Sequence, residues 1–369
     1  MPKCSPELLS AGVLSAVPGL SSRRGLRGLP TGDAAAAAAF VGVATPRARA
    51  MEQAACRLRF SEGRSAEATA AALGVPPGAV RRLIRRASLR VELQADVGAP
   101  ALQVLFEDEH IVAMAKPPGL RTTPVHRWQG GSLLNRLIGH LGGAMPLPVH
   151  RLDMDTSGVV VMAKHREAAA GVQQQFERRQ TRKEYLCLAR APLAAVERAA
   201  AERRFEVDAP IGKVKGGGFP EYGVVDEARG GKASLTRFET IEWASGAAAS
   251  GDSNGDGGGT ASGETLLRPG EGVWLGRARP LTGRTHQIRV HAAHAGLPLL
   301  GDAVYAPQLG EEERQSGWMR RHALHAAALE LAHPISGEPM RIVAALPEDM
   351  LAAARVAGLR EEALLKVAA

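Results

Sequence analysis

The run His150-Arg151-Leu152-Asp153-Met154-Asp155-Thr156-Ser157-Gly158 leads straight into the apolar stretch Val159-Val160-Val161-Met162-Ala163. An unbroken apolar segment of this length behind a glycine predicts a buried strand. The turn before it places the acid Asp153 close to Arg151 at a rigid strand entry. There a carboxylate can be kept ionised and aimed, as a nucleophile or base requires. Read alone, Asp153 also fits a turn or helix cap, and Asp155, two residues on, fits a turn-stabilising Asx residue.

Around this strand the pattern is mixed. Strands are predicted over 103–106, 111–115, 184–189, 238–243, 273–279 and 326–331, and helices over 133–141 and 165–179. Runs of strands broken by a few helices give an α+β class with a mixed, mainly antiparallel sheet. Upstream, residues 57–96 form a separate small candidate module. It has a helix over 66–73, a Gly74-Val75-Pro76-Pro77-Gly78 turn, a second helix over 79–86 and a short strand over 89–93. The second helix carries Arg81, Arg82, Arg85 and Arg86, which suits an RNA contact or equally a solvated basic face. Residues 244–264, rich in Gly, Ser, Asp and Ala, read as a flexible insertion without the Gly-Lys-Ser/Thr or GxGxxG pattern of a phosphate loop. Residues 349–369 read as a helical tail.

Composition narrows the partners. The 46 basic residues exceed the 38 acidic ones, and a formal charge of +8 favours polyanions. No uninterrupted apolar run approaches the roughly 20 residues that span a bilayer, so no membrane association is expected. Three scattered cysteines (Cys4, Cys56, Cys187), with no CxxC pair, argue for a reducing compartment and against a zinc site. The first fifty residues carry six basic side chains, only Glu7 and Asp33 as acids, and an alanine tract over 34–39. That composition fits a plastid or mitochondrial transit segment. A 5′ extension ahead of Met51, with a cytoplasmic product, fits it as well.

Four ordered stretches carry a family resemblance. They are Lys116-Pro117-Pro118-Gly119-Leu120, the nonamer at 150–158, Lys183-Glu184-Tyr185, and Leu281-Thr282-Gly283-Arg284-Thr285-His286-Gln287-Ile288-Arg289. Together they resemble the RluA-type RNA pseudouridine synthases over about residues 101–348, and residues 57–96 resemble, in degenerate form, the S4-like module that often precedes that domain. The module's usual glycine before the strand and Asn-Gly after it are replaced by Ala87-Ser88 and Glu92-Leu93. The resemblance implies the pseudouridine synthase fold and isomerisation of uridine to pseudouridine in structured RNA, rRNA or tRNA. It implies no cofactor, no metal and no obligatory protein partner.

It further implies roles for individual residues. Asp153 is the carboxylate acting at the sugar, with covalent attack, removal of the 2′ proton and charge stabilisation all open. Arg289 is its electrostatic partner, lowering its pKa and holding it in place. Tyr185 stacks on uracil and accepts the C5 proton; without the resemblance, a strand tyrosine is more often core. Arg151 fills the gap left by an everted base, and His150 orients that loop. Arg284 and His286 are weaker candidates for RNA contact, and Lys213 and Lys215 are candidate phosphate contacts. Tyr305 reads as structural, and a His286/His291 metal pair is disfavoured by its spacing. Two other classes fit less well: a non-catalytic RNA-binding or assembly factor would have lost a catalytic residue, and a glycoside or nucleoside hydrolase would need a well-placed second acid, for which Asp155 is the only adjacent candidate.

Overall fold

A computed structural model describes residues 46–88, 93, 95–96, 98–125, 130–214, 221–246, 267–360 and 362. The transit-like composition up to residue 45, residues 89–92 of the strand expected over 89–93, Lys215 and most of the Gly/Ser-rich insertion lie outside these residues. The chain forms two units: residues up to 94 with 124–130, and the remainder.

The first unit holds helices α1 (Pro46–Cys56), α2 (Ala66–Leu73) and α3 (Pro77–Ser88). Helix α2 begins where Ser65 Oγ accepts from the Ala68 amide and stops at Gly74, whose φ of +64° suits a residue without Cβ. The expected five-residue turn is shorter than predicted. Pro77 opens α3 instead, because a first-turn residue has no intrahelical use for an amide proton. Ala55, Leu58, Ala70 and Val80 supply buried apolar surface, and Arg81 and Arg82 are exposed.

The second unit is built on β1 (Gln103–Glu107), β2 (Ile111–Lys116), α4 (Leu133–His140), β3 (Leu147–Pro148), β4 (Ser157–Ala163), α5 (Arg166–Glu177), β5 (Arg182–Pro192) and α6 (Leu193–Glu202). It continues with β6 (Arg204–Asp208), β7 (Ile211–Val214), β8 (Glu221–Val224), β9 (Leu235–Ser245), β10 (Glu271–Pro280) and α7 (Gln287–His294). Helix α8 (Pro307–Gln315), β11 (Leu324–Ala332), β12 (Pro339–Val343) and α9 (Glu348–Val356) complete it.

The main sheet runs β1-β2-β4-β11-β5-β10-β9-β6, with β12 on β11, β3 on β4, and β7–β8 as a separate hairpin. Every pairing between these strands is antiparallel except β4 with β11, where His325 faces Ser157 and Ala326 faces Gly158. All seven residues of β4 are buried, as its apolar run required. At this parallel seam Gly158 has φ +111°, and a Cβ there would sit 2.1 Å from the Ala326 carbonyl oxygen. Only glycine fits. Helix α9 is not a tail: Met350, Ala353 and Ala354 pack with Trp318 and Leu346 in one apolar cluster.

The buried His325 and the half-buried His150 tie this core to the seam and its flank. His325 Nδ1 meets Ser157 Oγ at 2.9 Å and its Nε2 meets the Ala344 carbonyl at 3.1 Å. His150 Nε2 accepts from the Val161 amide at 2.9 Å. Burial first, and nearby cations second, push both rings down to about 4. The folded chain therefore keeps them neutral while the unfolded chain protonates near 6.5. Between those values the unfolded state binds more protons, so stability falls as pH drops. Each ring should cost roughly 2 kcal/mol at pH 5 relative to pH 7.5. Urea melts at the two pH values check this, and His325→Gln should shrink the difference between them by roughly 2 kcal/mol.

Candidate active site

The turn carrying Asp153 is held from three directions. Thr122 Oγ1 accepts from the Leu152 amide at 3.1 Å and donates to the Leu152 carbonyl at 3.0 Å. The buried Lys116 ammonium donates to the carbonyls of Pro117, Leu120 and Met154 at 2.9, 2.7 and 2.7 Å. Arg321 Nη1 donates to the Asp155 carbonyl at 2.9 Å, and His322 Nε2 meets Thr156 Oγ1 at 2.9 Å. The backbone of Asp155 is thus what holds the turn, in place of the side-chain Asx bond expected. Burial drives the Lys116 ammonium down to about 7 against the opposing pull of Asp155 and Asp153.

Asp153 is about a quarter exposed and faces Arg289 of α7, with Nη1 at 3.8 Å from Oδ2. The remaining guanidinium nitrogens serve another acid: Nε and Nη2 donate to Asp302 at 2.7 and 2.8 Å. The expected partnership is therefore shared. Asp302, nearly fully buried, fixes the planar fork and leaves one edge for Asp153. Burial pushes the Asp302 carboxyl up, but the hydrogen bonds and charge of Arg289 outweigh it and hold it below the usual carboxylate range.

Tyr185 sits on β5 opposite Ala278 of β10 and Ala326 of β11. Burial, and then the Asp153 charge, push its hydroxyl well above the ordinary phenol range. It therefore meets a substrate as a phenol rather than a phenolate. Lys183, two residues earlier, donates to the Thr282 carbonyl at 3.0 Å, and burial lowers it to about 8.

The segment at 281–287 is locked by Gln287. Its Oε1 accepts from Thr282 Oγ1 at 2.7 Å and the Arg284 amide at 3.0 Å, and its Nε2 donates to Leu235 O and Thr236 Oγ1. The helix starts at this residue, after His286 takes a left-handed φ of 57°. That conformation sets His286 Nε2 3.9 Å from Asp153 Oδ2 and Nδ1 2.9 Å from the Tyr305 hydroxyl. Tyr305 in turn lies under the Arg289 guanidinium, 5.0 Å from ring centroid to Cζ. Read as structural from the sequence, it braces both the arginine and the histidine. Asp302 and Tyr305 are the site residues that sequence reasoning missed. Their one signal is proximity in Gly301-Asp302-Ala303-Val304-Tyr305, where Asp302 Oδ1 also accepts the amides of Val304 and Tyr305.

Arg151, Asp153, Lys183, Tyr185, Arg284 and His286 line one cleft of about 510 Å³, a size suited to a small-molecule-sized group. Arg289 and Asp302 lie behind it. Arg151 and Arg284 are exposed, with Arg284 donating at 3.4 Å to the Ala233 carbonyl. His150 reaches the cleft wall, yet Val161 occupies its Nε2 and its ring packs on Phe176 at 5.1 Å. It orients the loop and is not placed for RNA contact. His291 is buried, with its nitrogens on Thr236 and Ala209, so no metal pair with His286 forms. Lys213 is exposed on β7.

Residues 110–294, which span the Asp153 turn, the Tyr185 strand and the whole of α7, match the family model for RNA pseudouridylate synthase. The chain belongs to that family. The chain is 35% identical over 258 residues to ribosomal large subunit pseudouridine synthase D of Nitrosomonas europaea, an alignment covering 68% of this chain and 64% of that protein. It is 34% identical over 287 residues to ribosomal large subunit pseudouridine synthase C of Yersinia pestis, covering 75% of each. The chain thus spans just under two thirds of the first relative and three quarters of the second. These relatives place the chain in the RluA-type group. Its fold is similar to that of human RNA pseudouridylate synthase domain containing 1, with a TM-score of 0.51 and 24% identity over 68% of this chain and 87% of that one.

Proposed function

We propose that this synthase isomerises uridine to pseudouridine in structured RNA, with large-subunit ribosomal RNA as its target class. The reading rests on one observation above all. Asp153 stands at the cleft 3.8 Å from a guanidinium whose other edge is already bound to Asp302. That geometry sets a carboxylate in a fixed orientation, facing a clamped cation, beside a bound ribose. Asp153 acts at C1′ or C2′ as the glycosidic bond opens, and the uracil turns within the cleft. C5 then bonds to C1′. The Tyr185 oxygen takes the C5 proton as its own hydroxyl proton moves on, and N1 ends protonated, so the isomerisation is proton-neutral overall. The names of the two relatives support the ribosomal target, and the excess of positive charge supports a polyanionic one.

Arg151, exposed at the cleft and flanking Asp153, enters the gap left by the everted base. Arg151→Ala should therefore slow a stacked or base-paired uridine about tenfold more than the same uridine in an unstructured oligomer. Single-turnover rates on both RNAs check this, and equal losses would remove the wedge role. The helical unit, with Arg81 and Arg82 exposed on α3, adds phosphate contacts that position without specifying sequence. Tritium release from transcripts of large-subunit rRNA and of tRNA labelled at uridine C5 tests the whole reading. Release from neither would end it.

A further inference from the structure

Beyond the residues of the reaction itself, Arg179 has an unusual backbone at the cleft mouth. Helix α5 ends there in a left-handed cap: Arg178 N donates to Gln174 O at 2.9 Å, Arg179 N to Phe176 O at 3.2 Å, and Gln180 N to Gln175 O at 2.9 Å. This bonding pattern puts Arg179 at the position helices give to glycine, and its φ is 56°. Non-glycine residues held left-handed cluster where function requires a particular side chain. The described residues contain three of them, Arg179, Arg203 and His286, and two of the three, Arg179 and His286, line the active-site cleft.

A helix terminus also attracts cations to its exposed carbonyls. That explanation needs no left-handed residue, since Arg178 stands beside it in a right-handed conformation. Ion pairing separates the arginines further. Arg190, Arg277, Arg289 and Arg321 are bound to carboxylates at 2.7–2.9 Å and hold the fold together. Arg151, Arg179 and Arg284 are exposed and line the cleft, and among the described residues no carboxylate lies within ion-pairing distance of them. Glu177 lines the same cleft without pairing to Arg179.

We infer that Arg179 binds a phosphate of the RNA strand beside the everted nucleotide, leaving Arg151 free for the base gap. This rests on the pseudouridine-synthase reading of the cleft. A guanidinium suits the task because its fork matches two phosphate oxygens. The side chain is kept despite its backbone strain because a glycine would bind nothing.

The opposed effects on stability and binding make the test. Full-length wild type, Arg179→Gly, Arg179→Ala and Arg179→Lys are compared on a large-subunit rRNA transcript labelled with tritium at uridine C5. Arg179→Gly should raise Tm by about 2 °C and raise KM about tenfold, with kcat within about twofold. The slope of log affinity against log salt should fall by about one. Arg179→Ala should lose binding without the gain in Tm, and Arg179→Lys should keep most of the binding. Unchanged KM and salt slope in Arg179→Gly, in an otherwise active enzyme, would overturn the inference. So would a fall in Tm, which would show the arginine to be a structural cap. If the wild type bound the transcript but released no tritium, a reduced salt slope would still support the phosphate contact while the reaction assignment failed.

Discussion

Asp153→Asn should lower tritium release from C5-labelled uridine by at least about 10³-fold and leave RNA affinity within about twofold. The substitution is nearly isosteric, and the turn is held through the backbone of Leu152, Met154 and Asp155, not through the Asp153 carboxylate. Fold and docking should therefore survive. What disappears is the negative charge beside Arg289 at the position the ribose must occupy. Circular dichroism and filter binding confirm the intact protein, and single-turnover release measures the loss. An Asn variant with wild-type turnover would move the chemistry elsewhere in the cleft.

Arg289→Leu should be costly in two separable ways. Asp302 is nearly fully buried and has its two oxygens on the Arg289 fork. Removing the guanidinium leaves a buried carboxylate uncompensated, which typically costs about 3–5 kcal/mol. Adding Asp302→Leu removes that stranded charge, and a well-packed apolar pair can restore most of the stability. Activity should not return, because Asp153 still lacks its cation. Urea denaturation and tritium release on the two single variants and the double variant separate fold from chemistry. Recovery of both together in the double variant would make Arg289 purely structural.

The degree to which the sequence disclosed this site follows the range of the interactions. The apolar run at 159–163 declared a buried strand because periodicity is local, and β4 spans Ser157–Ala163. Helix α2 occupies the expected 66–73 because a serine cap and a glycine stop bound it. Asp153, Tyr185 and Arg289 stand in motifs, and the fold brings all three to the cleft or its back wall. Asp302 and Tyr305 were not legible, since an acid in a short turn looks the same whether it meets solvent or a guanidinium. His150 was read as orienting its loop, and its ring accepts from the Val161 amide in the strand behind. Lys116 resembled a loop residue, and only tertiary packing revealed its three carbonyl acceptors. The strands β6, β7 and β8 and helices α6 and α8 also escaped, being short and weakly patterned.

The seam between β4 and β11 also governs when the enzyme comes into being. Arg321, His322 and His325 hold the Asp153 turn and the strand behind it, and they are made long after the aspartate itself. Parallel pairing across so much intervening chain forms late, because distant segments must meet before their contacts repay the lost freedom. A nascent polypeptide released from the ribosome only as far as α7 carries every reactive side chain and still lacks the scaffold that aims them. The site is thus left unassembled until β11 has been made and paired with β4.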